Sequence, residues 1–117
     1  MTASTAAHRV FSYGTLRQTN VQHALYGRTV STIPDVLLAW RLDWLVITDP
    51  DVIRASGSDR HPILRRGTNE DAVEGAYLEL NDAELQATDR YEVADYVRRV
   101  VVLASGVEAF VYVADGE

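Results

Sequence analysis

The run LNDAELQATDRYE, residues 80–92, decides the fold, because it converts a β-rich chain into a helix at a point that local chemistry specifies. Asn81 is a good N-cap. Glu84, three residues on, completes a capping box, in which the Asn side chain accepts a backbone N–H from the first turn and the Glu side chain reaches back to the cap. Leu80 and Leu85 occupy the two positions of a hydrophobic staple. A helix beginning at Asp82 places Leu85 and Glu92, seven residues apart, within about 20° of each other around its axis. If the staple turns Leu85 to the core, Glu92 at the helix end turns inward with it, whereas the capping role keeps Glu84 at the surface. A carboxyl held in an apolar wall has its neutral form favoured, so its pKa rises toward the range where it both takes and gives a proton near pH 7. The ordinary alternative is a helix-end glutamate in solvent or paired, with Arg90, Arg98 or Arg99 as partner.

On either side of this helix the chain reads as strands. AVEGAYLEL, residues 72–80, is a strand with Val73 and Tyr77 inside and Gly75 at a bend or a close backbone approach. Beyond the helix, VRRVVVLASGVEAFVYV is a pair of β-rich runs around Ser105 and Gly106, a hairpin signal. Toward the N-terminus, HRVFSY predicts a first strand with Val10 and Phe11 inside. TNVQHALYGR predicts a short helix capped by Thr19 or Asn20, with Val21, Ala24 and Leu25 on one face and Gly27 ending it. The run VLLAWRLDWLVI, residues 36–47, fits one bent strand or two, interrupted at Arg41 and Asp43. Residues 48–71 are polar and hold prolines and glycines, and most of them are expected to leave the sheet. Within them Arg54, Arg60, His61, Arg65 and Arg66 form a basic cluster that either faces an anionic ligand or is a solvated loop.

A chain of 117 residues with 47% hydrophobic and 24% charged residues is expected to fold as one domain, residues 8–117 behind a loose tail over residues 1–7. A formal net charge of −6 opposes phosphate backbones and anionic membranes, so neither nucleic acid nor membrane is expected as a partner. The start lacks a charged n-region and an apolar run, and no stretch has the length of a membrane span, so a cytoplasmic location is the default. There is no lysine and no cysteine, which removes Schiff-base and thiolate chemistry, disulfides and cysteine metal sites. No nucleotide-binding glycine motif, H-E-x-x-H or G-x-S-x-G occurs, and His8, His23 and His61 are the only histidines. The expectation is therefore no metal and no cofactor, with carboxylates as the candidates for proton transfer.

The segment FSYGTLR, residues 11–17, supplies the second candidate element. Successive N–H groups of Gly14, Thr15 and Leu16, leaving a strand toward a helix start, can form a concave donor array for a carboxylate or oxyanion, with Tyr13 as one wall. An ordinary β-to-α turn is the competing reading.

VFSYGTLR, VEGAYLEL, TDRYEVADYVRR and AFVYV, in that order and spacing, together resemble the γ-glutamylcyclotransferase-like family, which includes the AIG2-like proteins, over residues 9–113. The resemblance implies an α+β fold around a small mixed β-barrel with flanking short helices. It implies that the loop amides of Tyr13, Gly14, Thr15 and Leu16 hold the γ-glutamyl part of a substrate and that Glu92 is the acid/base. Tyr96 and Arg98 match the Y-x-R that follows, which places Tyr96 among the substrate-binding residues. The implied reaction is cofactor-free: the substrate's α-amine attacks its own γ-carbonyl, closing 5-oxoproline and expelling an amine. The chain departs from the family pattern at Trp40, where relatives often carry glycine, and in VADY after the glutamate, which bears on pocket shape and substrate. A binding module for a carboxylate-bearing metabolite, and removal of a γ-glutamyl protecting group in a biosynthesis, are the other readings. Leaving amine and oligomeric state are not specified by these motifs.

Overall fold

The computed structural model describes residues 7–46, 48–56, 60–92, 96–114 and 116. The chain runs β1 (His8–Ser12), a 3₁₀ turn (Thr15–Arg17), α1 (Thr19–Tyr26), β2 (Thr32–Leu38), β3 (Trp40–Val46), α2 (Pro50–Ser56), β4 (Arg60–Arg66), β5 (Ala72–Leu80), α3 (Asp82–Tyr91), β6 (Tyr96–Val102) and β7 (Glu108–Ala114). Five strands form a mixed sheet in the order β2-β5-β1-β7-β6, while β3 and β4 form a separate antiparallel pair. β1 lies at the centre, antiparallel to β5 and parallel to β7, with Val10 opposite Phe110. The expected tail falls outside the described residues except for Ala7.

Successive side chains on a strand point to opposite faces, and here both faces are covered. Val10 and Tyr112 join Leu16, Val30, Leu78, Leu80 and Leu85 in a core on the helix side. Phe11, Val111 and Val113 join Leu37, Trp40, Leu64 and Val73 in a second core, to which the β3–β4 pair contributes Trp40 and Leu64. Among the described strands no closed barrel is found, which leaves the expected α+β class in place and changes its β layer to two sheets. The outer strand β2 is instead tied to the β6–β7 turn: Ala104 N–H donates to Val36 O at 2.8 Å, and the Ser105 hydroxyl donates to the Asp35 carboxylate.

The strand run over residues 36–47 breaks at Ala39 rather than at Arg41 and Asp43. Ala39 has φ 66°, a left-handed backbone uncommon for a residue with a Cβ. Two crossing bonds hold it there: Ala39 N–H donates to Asp71 O at 2.8 Å, and Gly67 N–H donates to Ala39 O at 2.9 Å. Residues 48–71 do not simply leave the sheet; they supply α2 and β4, and β4 pairs with β3 along its length. The basic residues of this segment are dispersed. Arg54 pairs with Asp51, Arg65 with Asp43 at 3.3 Å, and Arg66 stacks 4.9 Å from the Trp40 ring centroid. The side chains of Arg60 and His61 lie outside those described.

Gly75 makes the expected close approach: a Cβ there would lie 2.7 Å from Phe11 Cζ and closer still to Ser12 O. The expected helix face of α1 is displaced by one position. Ala24 is exposed, and Gln22 is buried beside the half-buried Val21, Leu25 and Tyr26. The N-cap of α1 is Gln18, without a side-chain bond, and Gly27 ends the helix in the left-handed conformation.

Candidate functional site

The capping box of α3 forms as expected, with Glu84 N–H donating to Asn81 Oδ1 at 2.8 Å and Asn81 N–H to Glu84 Oε1 at 3.0 Å. Glu84 is not at the surface, however. Arg28 reaches it through Nε at 2.7 Å and Nη2 at 2.9 Å, so the carboxylate can be buried and still carry its charge. That pairing, led by the Arg28 hydrogen bond, holds the Glu84 pKa below the usual carboxylate range. Two further braces fix the same helix. The Tyr26 hydroxyl lies 2.6 Å from Thr88 Oγ1, and Asp89 accepts from the Tyr112 hydroxyl at 2.6 Å while pairing with Arg98 at 3.1 Å.

Glu92 closes α3, its N–H donating to Thr88 O at 3.1 Å. Its side chain is partly buried, and among the described residues its carboxyl makes no hydrogen bond or ion pair. Arg98, one of the possible partners, is taken by Asp89. Burial alone raises the Glu92 carboxyl to about 7. The inward orientation expected from Leu85 is thus accompanied by the expected direction of the pKa.

The loop over residues 13–16 adjoins this glutamate. Tyr13 has its pKa raised, first by burial, then by Tyr96 and by the charge of Glu92. The charge of Glu92 is also among the causes that raise Tyr26 and Tyr112, after burial and nearer partners. A direct link joins the two elements: Thr15 Oγ1 and the hydroxyl of Tyr91, the residue before Glu92, are 2.8 Å apart. Loop and helix end therefore meet on one side of the molecule.

Within the loop every carbonyl is occupied. Tyr13 O accepts from Arg17 Nη2 at 3.1 Å, and Gly14 O from Arg17 Nε and N–H, both at 3.3 Å. Thr15 O accepts from Gln18 N–H at 2.9 Å, and Leu16 O from the buried Gln22 Nε2 at 3.0 Å. The Gly14 N–H donates to Ser12 Oγ at 3.2 Å, so the expected array of three donors contains one that is already engaged. The N–H groups of Thr15 and Leu16 donate to nothing among the described residues. An ideal Cβ on Gly14 would meet no atom within 4 Å, so open space lies beside the loop.

The tyrosines expected in the site have their hydroxyls committed elsewhere. Tyr13 donates to Tyr112 O at 3.1 Å, and the Leu64 N–H approaches the Tyr13 phenolic oxygen. Tyr96 donates to Pro62 O at 2.6 Å. The Tyr96 hydroxyl thereby bonds the backbone of β4, which among the described strands pairs only with β3, and the Tyr13 hydroxyl bonds that of β7. Residues 93–95 of VADY lie outside the described residues.

Gln22 and Arg17 did not emerge from the sequence as parts of this site. A buried glutamine on a helix carries no periodic signal, and the bonds that give both residues a role become visible only once the loop is folded. Among the described residues no three of His, Cys, Asp or Glu converge as a metal site would require, and no helix is long and apolar enough to cross a membrane.

A family model described as Gamma-glutamyl cyclotransferase, AIG2-like matches residues 10–117. No curated relative matches the sequence. Among solved structures, the chain resembles that of an Arabidopsis thaliana protein, with a TM-score of 0.77 and 24% identity over 99% of this chain and 67% of the other. It resembles that of an uncharacterized Homo sapiens protein, with a TM-score of 0.73 and 18% identity over 92% and 66%. A structure named Gamma-glutamyl cyclotransferase gives a TM-score of 0.74 and 16% identity over 93% and 67%. At these identities the likeness is one of fold, and the chain spans about two thirds of the length of each solved chain.

Proposed function

Because the chain belongs to the Gamma-glutamyl cyclotransferase, AIG2-like family, we propose that it cyclises a γ-glutamyl amine or peptide to 5-oxoproline with Glu92 as the acid/base. The observation that carries this reading is the Glu92 carboxyl, raised to about 7 by burial, without a protein counter-ion among the described residues and adjacent to the loop over residues 13–16. A group with that pKa is present in both protonation states at neutral pH, which suits it to two successive proton transfers.

The reaction begins with the γ-glutamyl group folded on itself over the N–H groups of Thr15 and Leu16, which stabilise the oxygen that gains charge. Ionised Glu92 removes a proton from the α-ammonium group. The freed amine attacks the γ-carbonyl carbon, forming the ring C–N bond. Protonated Glu92 then returns its proton to the leaving nitrogen as the original amide bond breaks, and the regenerated carboxylate passes the second proton of the ring nitrogen to the departing amine, giving 5-oxoproline and an ammonium product. The nucleophile comes from the substrate, so a chain without lysine or cysteine has the groups the reaction needs.

The test is 5-oxoproline release from γ-glutamyl amines and dipeptides, followed by mass detection, with wild type and Glu92→Gln. Loss of general acid/base catalysis lowers the rate by about 10²–10⁴-fold. Equal turnover by the variant removes Glu92 from the mechanism. Tight binding by wild type with no product over hours replaces the enzyme with a binding module.

A further inference from the structure

The peptide groups of the loop carry more information than the donors they expose. In a trans peptide the C=O of one residue and the N–H of the next point in opposite directions. The Thr15 N–H is therefore aimed by whatever holds Gly14 O, and Gly14 O is held by Arg17 through both Nε and N–H at 3.3 Å. The Leu16 N–H is aimed in the same way by the Gln18 N–H on Thr15 O at 2.9 Å. Arg17 Nη2 adds a third bond, to Tyr13 O at 3.1 Å, so one guanidinium spans two consecutive carbonyls. Its planar fork suits this arrangement, because two donors in fixed relation restrain two peptide planes together.

From this we infer that Arg17 is a positioning residue for the oxyanion donors: it turns the backbone of residues 13–15 so that the Thr15 N–H faces the ligand before the ligand arrives. The inference rests on the reading of the loop given under Proposed function. Arg17 is exposed and touches no reacting atom in that scheme. Its effect passes through the backbone. The buried Gln22 fixes the far end of the same loop by accepting from Val30 N–H at 2.9 Å while donating to Leu16 O. That leaves the stretch around Gly14, the residue with most conformational freedom, to Arg17.

Without the guanidinium the Gly14–Thr15 peptide keeps only the Arg17 N–H on Gly14 O, at 3.3 Å, and Tyr13 O loses its partner, so the loop is held less firmly and the ligand must select the productive orientation. The loss then appears in kcat/KM, while the pH–rate midpoint set by Glu92 is kept, because Glu92 lies on a different element.

The experiment compares wild type, Arg17→Met, which keeps an unbranched side chain, and Arg17→Lys, which keeps a donor able to reach one carbonyl. The readouts are KM and kcat for 5-oxoproline release, the pH–rate midpoint, the melting temperature, and the backbone amide shifts of Thr15 and Leu16 on titration with 5-oxoproline. The expected result is a kcat/KM about tenfold lower in Arg17→Met, with the pH midpoint kept, partial recovery in Arg17→Lys, and a weaker Thr15 amide response. A wild-type kcat/KM and amide response in Arg17→Met overturn the inference and leave the proposed reaction standing. So does a fall in activity that only follows a fall in melting temperature. If wild type yields no 5-oxoproline, the proposed reaction fails; the amide titration still decides the inference, which survives if Thr15 responds in wild type and not in Arg17→Met, and falls otherwise.

Discussion

Replacing Glu92 with glutamine changes stability in a way that depends on pH, and the size of the change follows from its surroundings. Burial lifts the carboxyl from the ordinary 4.5 to about 7 in the folded chain. Below pH 4.5 the group is protonated in both folded and unfolded states, and the stability associated with this raised pKa is fully present. As pH rises from 4.5 through 7 the unfolded chain releases the proton first, so the native state is progressively destabilised relative to it. At about 1.4 kcal/mol per pH unit the difference amounts to about 3 kcal/mol, an upper figure, since a native chain that admits water to the carboxyl loses less.

Glutamine is nearly isosteric and never ionises, so Glu92→Gln escapes that loss. Urea unfolding at pH 4.5 and pH 8.5 measures it directly, because free energies extrapolate linearly and the slope reports any change in the surface exposed. The two proteins are expected to have similar stabilities at pH 4.5, with the variant more stable by about 2–3 kcal/mol at pH 8.5. The activity prediction runs the opposite way, so one substitution gains stability and abolishes turnover. If the stability difference is the same at both pH values, the carboxyl is not held in an apolar wall, and the argument for Glu92 as acid/base loses its physical basis.

Two further substitutions separate scaffold from site. Gly75→Ala sets a methyl 2.7 Å from the Phe11 ring and nearer still to the backbone oxygen of Ser12; denaturation should show a loss of about 1–3 kcal/mol, whereas Gly14→Ala, which meets no atom within 4 Å, should keep the fold and raise KM. Tyr96→Phe removes the donor to Pro62 O and should lower stability by about 1–3 kcal/mol while leaving the pH–rate midpoint unchanged; a shifted midpoint would give the hydroxyl a part in the chemistry.

What could be read from the sequence was what short-range chemistry specifies. The capping box at Asn81 and Glu84, the left-handed glycine at Gly27 and the hairpin at Gly106 each depend on a few neighbouring residues, and each is present. The inward turn of Glu92 was legible for the same reason, since helical geometry carries Leu85 to Glu92 over two turns. The break at Ala39 was not legible, because alanine gives no signal for a left-handed backbone; that conformation is held by Asp71 and Gly67 from another part of the chain. β4 was hidden by its charges. Arg65 finds Asp43 across the strand pair and Arg66 stacks on Trp40, contacts that exist only after pairing. Glu84 was placed outside because a capping glutamate ordinarily faces water, and nothing local announces Arg28, 56 residues away.

The acidic residues along α3 are treated unequally, and the inequality bears on function. Asp82 meets the ring of His8, Glu84 is gripped by Arg28, and Asp89 is shared by Tyr112 and Arg98. These partners come from four places in the chain: β1, the segment after α1, β6 and β7. With Tyr26 on Thr88, they hold the helix along its length. Glu92 alone among these carboxylates makes no such contact with the described residues, although the helix that carries it is anchored at Asp82, Glu84, Thr88 and Asp89. An unpaired carboxyl at the end of a loosely held helix would swing into water and recover an ordinary pKa. Here the other three carboxylates and Thr88 resist that movement, so the carboxyl stays buried. No described residue supplies a counter-ion, and on the proposed reaction the α-ammonium group of the substrate is a cation that also has a proton to give. Pairing elsewhere on α3 and the lack of a partner for its end among the described residues are in this sense parts of one arrangement, which on the proposed reaction keeps a charge site available for the substrate.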